Sequence, residues 1–148
     1  MTTYAGVNAL LIMKSYKSLN REEIYKFFYS MKRPDGSFHV HLNGYFYVFL
    51  MISEFDCRSC YCVLSICKLL NMLTPEIAEH VGEYILRSFC FLFFISSCQT
   101  YEGGFASNPG SEAHGGYTFC SVAALTLLNQ LHKCNRSALE VLSVWNSE

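Results

Sequence analysis

The sequence lacks an excess of charge of either sign. Eleven Lys and Arg stand against twelve Asp and Glu, a formal net charge of -1 over 148 residues. Nothing in that overall balance would attract nucleic acid or an anionic membrane surface. A long hydrophobic run is also missing: the longest, Tyr45–Ile52 and Phe89–Ile95, fall well short of the roughly 20 residues that a membrane-spanning helix needs. No transmembrane segment is therefore predicted. The opening Met1-Thr-Thr-Tyr-Ala-Gly6 has neither the basic stretch nor the apolar core of a signal peptide. Charged residues as a class are scarce, 16% against 51% hydrophobic and 16% aromatic, a composition that excludes disorder. The expectation is one core-rich domain, or a piece of a larger one, working in the cytoplasm.

Cysteine is present in quantity, with eight in the chain. Cys57, Cys60, Cys62 and Cys67 crowd one short stretch, and Cys120 lies in Thr-Phe-Cys-Ser-Val-Ala-Ala-Leu. In a reducing compartment such residues pack as small hydrophobes. Cys57-x-x-Cys60 has the spacing of a metal or redox element. No matching second pair accompanies it, so buried structural thiols are expected here.

Helical signals recur throughout, and no strand pattern competes with them. Asn20-Arg-Glu-Glu23 supplies a capping side chain followed by acids in the first turn. Ile24, Phe27, Phe28 and Met31 then fall on one helical face, and Pro34-Asp35-Gly36 ends the helix. A second helix, apolar nearly all round, is predicted from about 56 to 73, the pattern of an inner, buried element. Thr74-Pro75-Glu76 opens a third. Gly115-Gly116 precedes a further apolar helix predicted over 117–131, and Ser137-Ala-Leu-Glu140 reads as the capping box of a last one.

Outer amphipathic and inner apolar helices therefore alternate, joined by glycine turns, and the alternation repeats. Asp35-Gly36-Ser37-Phe38 matches Glu102-Gly103-Gly104-Phe105, and the stretch from Tyr61-Cys62 matches that from Phe119-Cys120. Repeats are placed at about 20–73 and 75–131. Phe38 stands 24 positions before Cys62, whereas Phe105 stands 15 before Cys120. The first copy thus carries nine extra residues, assigned to 45–53. Alignment of the outer helices leaves a second excess, ten residues at 87–96. Both segments are apolar where connections over the surface should be polar. They are read as insertions foreign to the functional product, of the kind a retained intron would encode; buried elaborations of the fold are the alternative.

By residue type alone, His114 before two glycines reads first as a helix-start or turn residue and only second as a ligand. Tyr61 and Tyr117 read as core aromatics, and Arg58 as an ion-pair partner of Asp56 or Glu54. The string Ser111-Glu-Ala-His-Gly-Gly-Tyr-Thr-Phe-Cys120 narrows the choice. Together with Ser97-Cys-Gln-Thr-Tyr-Glu-Gly-Gly-Phe105, Thr3-Tyr-Ala-Gly-Val-Asn-Ala-Leu10 and Asp56-Cys-Arg-Ser-Cys-Tyr-Cys62, it closely resembles the β subunits of protein farnesyltransferases, within the protein prenyltransferase β family. The likeness covers nearly the whole chain apart from the two insertions.

The resemblance implies an all-α fold, an (α/α)6 toroid whose inner helices line a funnel; this chain accounts for two to three of its helical hairpins. It implies transfer of a farnesyl group from farnesyl diphosphate to the cysteine thiol of proteins ending in the CaaX pattern, in a heterodimer with an α subunit. It places the diphosphate at His114, Gly115, Gly116 and Tyr117, where two glycines allow close backbone approach at a helix start. Tyr4, Arg58, Tyr61 and Cys120 fall at positions lining the isoprenoid and peptide tunnel, where aromatic faces suit a polyene chain and an allylic cation. The family's catalytic Zn2+ is held by an Asp and a Cys of a Lys-x-x-Asp-x-Cys-Tyr motif and by a later His. No such motif stands between Met1 and Glu148, and without zinc a thiol stays largely protonated near neutral pH. No catalytic or metal-binding residue is therefore assigned, and the chain alone is expected to be inactive. Two other readings follow from the same residues: a non-catalytic helical-repeat module that binds the α subunit, and a related enzyme, a geranylgeranyl-type protein prenyltransferase fragment or a cyclase.

Overall fold

The computed structural model describes residues 2–40, 56–86, 98–107 and 111–145. The segments 45–53 and 87–96, and Glu54, lie outside the described residues. Seven α-helices are present among those described: α1 (Thr2–Ile12), α2 (Arg21–Met31), α3 (Cys57–Leu69), α4 (Pro75–Ala78), α5 (Val81–Leu86), α6 (Gly115–Leu127) and α7 (Arg136–Trp145). The only sheet-like pairing among them is a pair of isolated bridges, Lys32 with Phe38 and Gln99 with Phe105.

Local chemistry accounts for most helix starts. Asn20 Oδ1 accepts from the Glu23 N–H at 3.3 Å and opens α2, which buries Phe28 and Met31. Asp56 caps α3 by accepting from the Arg58 N–H at 2.9 Å, and Thr74 Oγ1 caps α4 with Pro75 in the first turn. The helix that Thr74 opens does not run on. His80 takes a left-handed φ of 57° and divides it into α4 and α5, a break that the surrounding residue types do not announce. Two further boundaries differ from expectation. Gly115 and Gly116 lie inside the first turn of α6, because His114 is its cap and accepts the Gly116 N–H on Nδ1 at 3.1 Å. The last helix starts at Arg136, one residue before the predicted box, and Asn135 Oδ1 accepts the Ala138 N–H at 3.2 Å.

The apolar helices form the inner layer. The most extensive pairing is α3 against α6, with α1 beside α3 and α5 beside α6. Leu64, Ile66 and Leu125 from α3 and α6, Ile77 and Ile85 from the outer helices, and Phe38 and Phe105 from the turns are fully buried. Each such side chain contributes about 1.5–3 kcal/mol when removed from water.

Three inner helices end in the same way. The residue two past the cap bonds back across five positions (Ser15 N–H to Leu10 O, Met72 N–H to Cys67 O, Gln130 N–H to Leu125 O), each at 2.8 Å. The residue before it, Lys14, Asn71 or Asn129, takes a left-handed φ of 57°, 53° or 57°. These are Schellman stops. They show that α1, α3 and α6 are successive copies of one element, with α1 a member that periodicity alone did not separate. The stops also shorten the inner helices: α3 ends at Leu69 and α6 at Leu127, each four residues before the predicted end.

The glycine turns repeat as closely. Gly36 and Gly103 have φ of 92° and 95°. A Cβ on Gly36 would lie 2.2 Å from His80 O, and one on Gly103 2.1 Å from Ala138 O. Each turn is thus pressed against the backbone of the next outer helix, where only glycine fits. A side chain beside each turn completes the joint. The half-buried Lys32 ammonium donates to Ile77 O at 3.0 Å and Glu79 O at 2.6 Å. In the second copy Gln99 donates to Asn135 O at 2.9 Å and accepts from the Asn135 N–H at 2.8 Å.

Candidate functional site

Counting back from the three Schellman stops by equal distances brings Tyr4, Tyr61 and Phe119 to equivalent positions near the starts of α1, α3 and α6. The rings meet. Tyr4 and Tyr61 have centroids 5.8 Å apart and hydroxyls at 3.4 Å, and Tyr61 packs edge-on against Phe119 at 5.2 Å. Contacts at the same helix ends mean that the three inner helices run parallel, with their N-termini gathered at one end of the molecule. The result is a continuous aromatic row, worth about 0.5–1.5 kcal/mol per pair beyond burial. Its Tyr4 hydroxyl, with partial burial, pushes the Tyr61 phenol up to about 12, so Tyr61 is neutral across the physiological range.

A second, polar line crosses the same end. The Asp56 carboxylate, buried beneath α3, accepts from Arg58 Nε at 2.9 Å and Nη2 at 2.5 Å, which raises the Arg58 guanidinium further above its ordinary value. Held this way, the guanidinium lies 4.9 Å from the centre of the Tyr117 ring. Tyr117 in turn meets the His114 ring edge-on at 5.6 Å. Because His114 Nδ1 accepts a backbone N–H, its neutral ring carries the proton on Nε2. The space beside Gly115 is open, with no atom within 4 Å of a notional Cβ. This is also the N-terminus of a 13-residue helix, where backbone dipoles favour an anion.

The eight residues singled out from sequence thus fall in one region. His114, Gly115, Gly116 and Tyr117 form the start of α6, Arg58 stacks on Tyr117, and Tyr4 and Tyr61 begin the aromatic row. Cys120, half-buried on the next turn of α6, has its thiol pushed up to about 11 by burial. Arg58 also makes the ion pair with Asp56 that its sequence position suggested. Phe119 was missed. It is 59% exposed and completes the row; its register with Tyr61, one repeat earlier, was the available signal.

A zinc ion does not fit what is described. No group of three or more His, Cys, Asp and Glu capable of holding a metal occurs among the described residues. The nearest approach in sequence, Asp56, Cys57 and Cys60, fails on chemistry: Asp56 is committed to Arg58, and burial pushes Cys57 up to about 11 and Cys60 well above its ordinary value. No helix among the described residues is long and apolar enough to cross a membrane.

Stacked helical hairpins with parallel inner helices, glycine turns against outer helices and one open rim of helix N-termini define an αα-toroid class of repeat protein. The chain belongs to the prenyltransferase alpha-alpha toroid domain family, which matches residues 1–147. It is 44% identical over 135 residues to a protein farnesyltransferase subunit β of Pisum sativum, covering 89% of this chain and 28% of that protein. A protein of the same name from Arabidopsis thaliana is 41% identical over 141 residues, 93% and 25% of the two chains. The Schizosaccharomyces pombe protein of that name is 34% identical over 148 residues, 98% and 33%. The chain spans a quarter to a third of the length of these relatives.

Proposed function

We propose that the chain is part of the β subunit of a protein farnesyltransferase and supplies the wall that binds farnesyl diphosphate. The observation that carries this reading is the meeting, at one end of three parallel helices, of an aromatic row with an anion-suited helix start. Tyr4, Tyr61 and Phe119 offer a continuous apolar surface to a polyene. His114 Nε2 and the N-terminal turn of α6 take the diphosphate, and Gly115 leaves room for it. Arg58, oriented by Asp56, brings positive charge to the ring between the two. The acceptor is a protein ending in the CaaX pattern, and the partner is the farnesyltransferase α subunit. Seven free cysteines among the described residues suit a reducing compartment such as the cytoplasm. On this reading the chain supplies substrate binding, and transfer to the acceptor thiol requires the zinc-bearing remainder of the subunit.

The test is titration of the chain, with and without α subunit, with a fluorescent farnesyl diphosphate analogue, reading zinc in the same samples. Saturable binding without zinc, weakened about tenfold or more by His114→Ala, is expected for loss of a charge-assisted contact. Folded protein that binds nothing would overturn the site, and stoichiometric zinc with turnover would overturn the division of labour.

A further inference from the structure

The opposite end of the inner layer carries a feature that the substrate wall does not use. There the ends of α1 and α3 and the connection that follows α1 leave large apolar side chains in water: Ile12 is 82%, Met13 64%, Tyr16 51% and Leu69 56% exposed. Ile12 and Leu69 hold equivalent places, each eight residues after its tyrosine of the aromatic row, so the parallel packing of α1 on α3 brings both to the same end of the inner layer. The connection that follows α1 is drawn over the end of α3, because Arg21 donates to Leu70 O. Met13 and Tyr16 therefore border the same patch.

Lysines are interleaved with these residues. Lys14 and Lys17 stand among Ile12, Met13 and Tyr16, and Lys68 precedes Leu69; all three are exposed and none has an ion-pair partner among the described residues. The acids nearest along the chain to Lys14 and Lys17, Glu22 and Glu23, open α2, and Glu22 is taken by Lys26 at 2.7 Å; the acid nearest to Lys68, Glu76, accepts from the Tyr25 hydroxyl at 3.0 Å. A net charge of -1 for the whole chain conceals this separation. Protein interfaces are depleted in lysine, whereas aliphatic residues flanked by lysines, with a tyrosine at the boundary, match the layering of a lipid surface.

We propose that this end of the molecule is a docking surface for membranes containing anionic lipid. Ile12, Met13 and Leu69 would enter the headgroup boundary, Tyr16 would lie at its level, and the three lysines would meet lipid phosphates and carboxylates. The substrate wall lies at the other end of the inner helices, about 20 Å away along a 13-residue helix. A docked membrane would leave it open. The proposal stands whether or not the substrate is farnesyl diphosphate.

Flotation of the full chain with vesicles tests it, since aggregated protein sinks and bound protein rises with lipid. Vesicles of phosphatidylcholine with about a third phosphatidylserine should carry the chain far better than phosphatidylcholine alone, and salt near 0.5 M should release it. Each lysine contributes roughly a fivefold change in partition. Lys17→Glu alone should therefore lower binding measurably, and Lys14→Glu, Lys17→Glu and Lys68→Glu together should abolish it with the helical circular dichroism unchanged. Ile12→Ser with Leu69→Ser should weaken binding at every salt concentration. Equal flotation with both vesicle types, no flotation, or flotation indifferent to Lys17→Glu would overturn the proposal.

Discussion

At residues 32–71 and again at 99–129 the backbone performs the same operations. A bridge closes a glycine turn, the turn is pressed against the next outer helix, an inner helix starts on a side-chain cap, and a left-handed residue stops it. The side chains on that frame differ. In the first copy the cap is Asp56, buried and tied to Arg58; in the second it is His114, exposed, with open space beside the glycine that follows. Four of the cysteines lie on α3 and one on α6. The inner helix of the first copy, α3, is committed to holding the core, whereas the start of α6 is left open, as the proposed ligand site requires. Equivalent positions in a repeat thus divide the work, because the backbone frame is secured by glycines and Schellman stops that place no demand on the caps.

The largest expected effect exploits the cysteines. Burial holds the thiols of Cys57 and Cys67 up at about 11 and that of Cys98 at about 12, from an ordinary 9.0. The folded state keeps its protons where the unfolded state loses them, so stability is full below pH 9 and falls as pH rises from about 9 through 11. Each thiol contributes a slope of about 1.4 kcal/mol per pH unit in that window. With three acting together, the chain should unfold cooperatively within it, as followed by circular dichroism. Cys67→Ala should flatten the slope even though it lowers stability at pH 7; an unchanged slope would mean that Cys67 is not shielded.

Next in size are the glycine turns. Gly36→Ala and Gly103→Ala each add a Cβ against backbone at positive φ, which backbone rearrangement alone can relieve. Each should cost about 3 kcal/mol in urea unfolding. Gly82→Ala meets only the movable end of Gln130 and should cost clearly less. Equal losses at Gly36 and Gly103 would sharpen the equivalence of the two copies, and a tolerated alanine at either would break it.

How much of this could be read from residue order follows from which residues act locally. Asn20, Thr74 and the stripe of Phe28 and Met31 act through nearest neighbours, and helix α2 and the start of α4 were legible from them. His114 was legible as a helix-start residue, but its side-chain cap with both glycines inside the first turn was not, because histidine seldom caps and two glycines look like a turn. The break at His80 depends on the Gly36 turn lying against His80 O, a contact across 44 positions that no local pattern contains. Helix α1 has no amphipathic face, and its place emerged only when Lys14, Asn71 and Asn129 proved to be the same stop. Those stops are 57 and 58 positions apart. Setting aside the nine residues at 45–53 from the first spacing and the ten at 87–96 from the second leaves 48 in both. The spacing from Gly36 to Gly103 is 67, and setting aside both segments again leaves 48. We propose from that agreement that both segments are additions to a repeat of constant length.

The smallest expected effect on stability separates the two caps. Asp56→Ala removes a buried acceptor of the Arg58 N–H and guanidinium and should cost about 2 kcal/mol, the sum of a lost cap and a lost charged hydrogen bond. His114→Ala removes an exposed cap at 3.1 Å and should cost only about 0.5 kcal/mol. The order should reverse for ligand binding: His114→Ala should abolish most affinity for the farnesyl diphosphate analogue, and Asp56→Ala should reduce it only through Arg58. Asp56→Asn keeps an oxygen for the Arg58 N–H while losing the charge that holds the guanidinium over Tyr117. It should therefore restore the cap without restoring the stack. If the two alanine variants instead lose stability and affinity in parallel, the caps do one job in both copies, and the division of labour between α3 and α6 fails.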